Sequence, residues 1–175
     1  MKKLITLVTI VLMTFATGFK AMAIEDPFPT GTTIVSARFG VVPGFGGNVT
    51  GDYVVVDNWW KGHFTIGGFL GFNTRLLKPQ YTDRYHKYNF SLMPRITYGL
   101  NITNDFEVHA GIMSGVNMYF DNNPYKDINK QNTFNWDLGE ILGARYQLFT
   151  DFYVDFEANY TFYMSYLNLG FTYLF

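Results

Sequence analysis

The chain contains no cysteine. Its absence excludes a disulfide framework, a thiolate metal site, a cysteine nucleophile and a lipidated anchor. Charge is sparse as well: Asp, Glu, Lys and Arg make up 15% of the 175 residues, 13 basic against 14 acidic. That balance lacks the basic surplus of a nucleic-acid surface, so no nucleic-acid partner is expected. After Phe19 there is no apolar run near the roughly 20 residues that a helix needs to cross a bilayer. The histidines, His63, His86 and His109, lack metal-ligand spacing, and nothing calls for a metal or a cofactor. The glycines of Pro43-Gly44-Phe45-Gly46-Gly47 lack the strand, helix and acidic residue of a nucleotide-binding loop and read as a turn or loop.

What is abundant is aromatic side chain and glycine: 19% Phe, Trp and Tyr, with 17 Gly. The N-terminus opens Met1-Lys2-Lys3, runs apolar from Leu4 to Phe19 and continues Ala21-Met22-Ala23. A basic start, a short apolar stretch and a small-x-small site predict a secretory signal peptide over 1–23. Cleavage removes Lys2, Lys3 and Lys20, leaving 10 basic residues against 14 acidic ones and a formal charge of −4. The remaining 24–175 fit one domain, about the length that eight spanning strands and seven connections require.

Alternation with period two governs that domain. In Met164–Phe175, Leu167, Leu169, Phe171, Tyr173 and Phe175 share one face, and Asn168, Gly170 and Thr172 lie on the other. Further strands are predicted at about 32–42, 49–56, 63–72, 87–98, 106–120, 133–148 and 152–162. Val54-Val55-Val56 blurs the alternation of the second, and Pro94 in the fourth cannot donate to a ladder and predicts a bulge. Longer polar connections, 43–48, 73–85 and 121–131, alternate with short ones at 57–61, 99–105 and 149–151. Trp59 and Trp60 in a short turn suit a membrane interface, with a buried aromatic clamp as the alternative.

The charged residues within strands decide which way the faces point. Arg38, Asp52, Arg95, Glu107, Asp137, Arg145, Asp155 and Glu157 all lie opposite the apolar faces. In an eight-stranded barrel they would point into a lumen only wide enough for side chains and pair there as a network. The fold class read from this pattern is all-β: an eight-stranded antiparallel up-and-down transmembrane β-barrel. Closure leaves no strand edge unpaired in hydrocarbon. Glu140 breaks the pattern by falling on the lipid face, so either a bulge flips the register there or Glu140 has a function.

The terminal strand, ending on Phe175, resembles the last strand of Gram-negative outer-membrane barrels, where Phe171, Tyr173 and Phe175 would form the insertion signal. With Gly67-Gly68-Phe69-Leu70-Gly71-Phe72, Gly143-Ala144-Arg145-Tyr146 and Tyr166-Leu167-Asn168-Leu169-Gly170-Phe171, the mature chain is similar to the outer-membrane protein β-barrel domain family, the small OmpA/OmpX-like barrels. The resemblance implies a location in the bacterial outer membrane. It also implies lipid around the barrel, and periplasmic chaperones and the barrel-insertion machinery as partners. It implies a non-enzymatic structural or surface-interaction protein and carries over no catalytic residue. Tyr81, Arg84, Tyr85, His86 and Lys87 in one outer loop and Tyr125, Lys126, Asp127 and Lys130 in another would offer contacts to a surface ligand of unknown identity. One alternative is a lipid A-modifying enzyme, whose serine, acid and histidine would have to be Ser114, Glu140 and His86. Another is a narrow pore, which eight strands disfavour.

Overall fold

The computed structural model describes residues 27–42, 44–77, 85–121, 133–161 and 167–175, so the expected signal peptide at 1–23 lies outside them. Among the described residues are eight strands: β1 (Thr33–Val42), β2 (Phe45–Trp59), β3 (Gly62–Leu77), β4 (Tyr85–Asn101), β5 (Phe106–Asp121), β6 (Thr133–Phe149), β7 (Phe152–Tyr160) and β8 (Leu167–Leu174). Each pairs antiparallel with its neighbour in sequence, and β8 pairs with β1 to close a barrel. Phe175 completes the seam by exchanging backbone hydrogen bonds with Thr33 at 2.9 and 3.1 Å. No edge between β8 and β1 is left to recruit another strand.

The alternation read from the sequence is the alternation of inside and outside. Phe39, Val41, Leu70, Leu92, Trp136, Leu138 and Phe171 are exposed on the outer wall, whereas Arg38, Arg95, Arg145 and Glu157 are buried within. A soluble protein would have this reversed; apolar outside and charged inside suits a wall that faces hydrocarbon. Aromatic rings form two belts on that wall. Near the end where β1 begins and β8 finishes, called the lower end below, lie Trp59, Phe64, Tyr98, Phe152, Phe171 and Tyr173, with Trp59 to Phe64 centroids at 4.8 Å and Phe64 to Tyr98 at 4.9 Å. Towards the upper end Phe72, Tyr88, Phe90 and Phe120 adjoin one another. Phe64 and Phe72 are eight residues apart on β3, about 20 Å of depth at a strand tilt of about 40°.

Several boundaries differ from the sequence reading. The first upper connection is only two residues, because Gly46, Gly47 and Asn48 join the ladder opposite Gly40, Phe39 and Arg38. Both ends of the 73–85 stretch are also strand: Asn73–Leu77 pairs with Tyr85–Asn89. Above a bilayer a hairpin has no lipid to face, so its alternation fades while its ladder continues. Around Val54-Val55-Val56 the register between β2 and β3 shifts, and that bulge is what blurred the pattern. Pro94 makes no bulge. Leu92↔Val116 and Arg95↔Met113 keep one register on either side of it, and only the pairs of Met93 and Pro94 with β5 are missing. Pro94 still pairs with Gly68 of β3, so its missing N–H interrupts one ladder without shifting either.

The lower turn between β2 and β3 resolves the tryptophan question. Trp60 and Lys61 both have positive φ, 51° and 67°, the two-residue hairpin geometry whose twist matches the strands. Such angles are strained for residues with side chains, and the Tyr98 hydroxyl, within 3.0 Å of the Trp59 carbonyl and 3.1 Å of the Trp60 carbonyl, pins the turn. Trp59 and Trp60 are 50% and 78% exposed, which is the interface arrangement and not a buried clamp.

Candidate functional site

Charged residues gather inside because the register lines them up. Asp155 of β7 sits between two arginines: it accepts from Arg38 Nε at 3.0 Å and Nη2 at 2.8 Å, and from Arg145 Nε at 3.1 Å. Thr172 donates to the same carboxylate at 2.8 Å, and its hydroxyl lies 2.6 Å from that of Ser36. Glu157, two residues along β7, pairs through Oε2 with Arg38 and with Arg95, both at 3.1 Å. Arg95 reaches on to Asp52 at 3.0 Å, and Arg145 to Glu107 at 3.2 Å. His109 spans Glu107 at 3.4 Å and Glu157 at 3.5 Å, which closes the chain of contacts into a ring. Arg38 also donates to Asn48 and Thr50, both at 3.2 Å.

Seven of the eight charged residues singled out in the sequence thus meet. Asp137 does not. It lies higher in the lumen, where its carboxylate accepts from Asn117 Nδ2 at 2.8 Å and from the Leu138 backbone at 2.9 Å. Ser91 donates in turn to Asn117 Oδ1, so Asp137 belongs to a largely neutral polar layer. The ring also recruits Thr172 and His109 from the face opposite the apolar one, Thr50 from the second strand, and Asn48 from the stretch read as a connection; the sequence pattern marked none of them as partners.

Two apolar layers enclose the ring. Below it Phe28, Ile34, Val54, Tyr153 and Leu174 pack together. Above it Phe69, Met93, Met113 and Ile141 do the same. Strand order fixes the stacking: Met93 is one inward position above Arg95, and Tyr153 one below Asp155. Charges sealed on both sides exchange water for each other, which is tolerable only because each carboxylate faces a cation at hydrogen-bonding distance.

No family model matches the chain, and no curated protein matches it in sequence. Solved structures do match in fold. OprG from Pseudomonas aeruginosa aligns with a TM-score of 0.53 at 13% identity, covering 83% of this chain and 96% of its own. Ail, the attachment invasion locus protein of Yersinia pestis, aligns with a TM-score of 0.51 at 12% identity, covering 82% of this chain and 96% of its own. The chain has the fold of a small outer-membrane β-barrel. At these identities the likeness concerns the backbone, and the lumen ring is a reading of this chain's own residues.

In such a barrel the residues weighed for lipid chemistry do not come together. Ser114 accepts from Trp136 Nε1 at 2.9 Å and donates to the Asp137 carbonyl at 3.1 Å, so its proton is committed to the backbone. His86 stacks on Tyr88 at the top of β4, eight positions beyond the residue opposite Ser114, about 25 Å along the strand. Glu140 keeps regular register, paired with Ile112 and Tyr160, so no bulge turns it inward. It stands exposed on the outer wall, the face that suits hydrocarbon, six residues up β6 from the exposed Tyr146. An acid there costs less than a basic residue but still counts against the fold, so Glu140→Leu is expected to raise bilayer stability by about 1–2 kcal/mol. Urea unfolding in lipid vesicles measures it; an unchanged midpoint would mean that the carboxyl makes compensating contacts.

Of the outer-loop residues, Tyr81, Arg84, Tyr125, Lys126, Asp127 and Lys130 lie outside the described residues. Tyr85, His86 and Lys87 belong to β4 and not to a loop, paired with Leu77, Leu76 and Arg75. Lys87 Nζ lies 4.5 Å from the centre of the Tyr119 ring, a cation–π contact at the upper mouth. Phe171, Tyr173 and Phe175 are all exposed on the outer face, with Tyr173 and Phe175 edge to face at 4.6 Å.

Proposed function

We propose that this protein is exported by its 1–23 segment to the bacterial outer membrane and acts there, without catalysis, as a surface-interaction barrel working through its upper connections. The observation that carries this reading is the filled lumen. A ring of ion pairs between two apolar layers offers no aqueous path, so the surfaces left for contact with other molecules are the ends. Short turns and termini face the periplasm in this reading, and the tall hairpins of β3–β4 and β5–β6 face outward. Phe171, Tyr173 and Phe175 serve the insertion machinery.

A deletion strain complemented in two ways tests it. One copy carries the full chain; the other has 78–84 and 122–132 replaced by short Gly-Ser turns. Both should insert and migrate as heat-modifiable bands, and only the full chain should restore the adhesion of intact cells to a surface that the deletion strain loses. Restoration by the loop-shortened barrel would overturn the loop reading. Lipid A mass profiles should match in all strains, and a changed acylation pattern tied to the gene would replace this reading with the enzymatic one.

A further inference from the structure

The two apolar layers that close the lumen are built differently. The upper layer consists of strand residues, Phe69, Met93, Met113 and Ile141, each fixed by the wall itself. The lower layer includes one residue that no strand supplies. Phe28 lies ahead of β1, yet its side chain is fully buried, with its ring 4.4 Å from that of His63 and 5.5 Å from that of Tyr153. Pro29 and Thr30, next in sequence, are exposed. The chain therefore enters the lower mouth at Phe28 and leaves it at once.

Local geometry explains how. Gly31 has φ of +101°, a conformation that side chains resist, and it kinks the segment inward before the strand begins. Thr32 N–H donates to the Pro29 carbonyl at 3.0 Å and closes a turn, while the Thr30 N–H donates to Asp57 Oδ2 at 3.0 Å. Gly31 N–H to the Val54 carbonyl and Val54 N–H to the Thr32 carbonyl, both 3.0 Å, tie the turn to β2. Above the Phe28 ring lie Val54 and Tyr153, and one inward position above these the carboxylates of Asp52 and Asp155.

We propose that residues 27–32 form a stopper for the lower mouth, with Phe28 as its head, and that withdrawing it leaves a cavity blind at its upper end, closed by the charged ring and by the Phe69, Met93, Met113 and Ile141 layer above that. Withdrawing the ring opens the lumen from the lower end only. It admits water and small solutes as far as His63 and Tyr153 and makes no pore. The stopper is thus the lumen's removable seal, and access to the charged ring is controlled from the lower end.

The absence of native cysteine makes single-cysteine reporters clean. Val54→Cys reports on the cavity and Ser91→Cys on the layer above the upper seal. Folded protein in detergent is treated with a charged methanethiosulfonate, and labelling is scored only on the heat-modifiable band, so the test does not depend on orientation in the membrane or on the loop function. With Phe28 present, Val54→Cys should label slowly. Phe28→Ala should speed it at least about tenfold and leave Ser91→Cys unchanged. Where Phe28→Ala yields no folded band, Phe28→Leu, which shortens the stopper without removing it, should give an intermediate rate. Conductance in planar bilayers should stay at baseline throughout. Equal Val54→Cys rates with and without the ring overturn the stopper, and a conducting Phe28 variant overturns the blind cavity.

Discussion

Asp155→Ala is expected to destabilise the barrel by about 3–5 kcal/mol, a large part of the 5–15 kcal/mol that holds an ordinary domain folded. The carboxylate is shared by Arg38 and Arg145 and bonded by Thr172, so its loss leaves two guanidinium groups facing each other in a sealed interior. The penalty comes from the repulsion of those two charges, each left with a single acidic partner, Glu157 for Arg38 and Glu107 for Arg145, more than from the lost attraction. Thr172→Val removes one neutral donor to the same oxygen and should cost only about 1 kcal/mol. Asp155→Asn keeps the acceptor but not the charge and should fall between. Unfolding in urea, followed by the fluorescence of Trp59, Trp60 and Trp136 in lipid vesicles, reads all three. A drop below about 1 kcal/mol for Asp155→Ala would mean that the ring is tolerated and contributes little to stability.

The contrast between Asp155 and Asp137 shows what the sequence could and could not tell. Period two put both carboxylates on the lumen face, and β7, with Tyr153, Asp155, Glu157 and Asn159 on one side, was legible without any structure. Strand pairing was not. Whether an acid meets an arginine depends on register between strands that alternation leaves open, and the register brings Arg145 opposite Asp155 while it puts Asp137 opposite Gly115, beside Asn117. The charge ring was therefore visible as a list and invisible as a geometry. Hairpin lengths failed for a related reason. Asn73 and Arg75 read as loop because polarity marks a loop only where the alternative is a half-buried strand, and above the bilayer that alternative disappears. Phe28 carried no signal at all: one aromatic ahead of the first strand has no period, and only the kink at Gly31 sends it into the lumen.

Gly143→Val is expected to cost more than 3 kcal/mol or to abolish the folded band, the upper end of what overpacking does. Gly143 faces the lumen on β6, where a Cβ would stand 2.6 Å from His109 Cε1 and 2.8 Å from the Phe156 carbonyl oxygen. The ring has little room to yield, since one nitrogen faces Glu107 and the other Glu157. The glycine is then the space that the histidine occupies, one strand supplying the gap and its neighbour the filling. This makes a sign prediction. His109→Ser alone should destabilise, because it withdraws the group between two carboxylates; combined with Gly143→Val it should recover part of the loss, as the valine moves into the vacated volume. A favourable coupling of at least about 1 kcal/mol in that double-mutant cycle assigns the glycine to the ring. Additive losses would assign it instead to the Phe156 carbonyl, and the constraint at Gly143 would then belong to the β6–β7 backbone and not to the charged lumen.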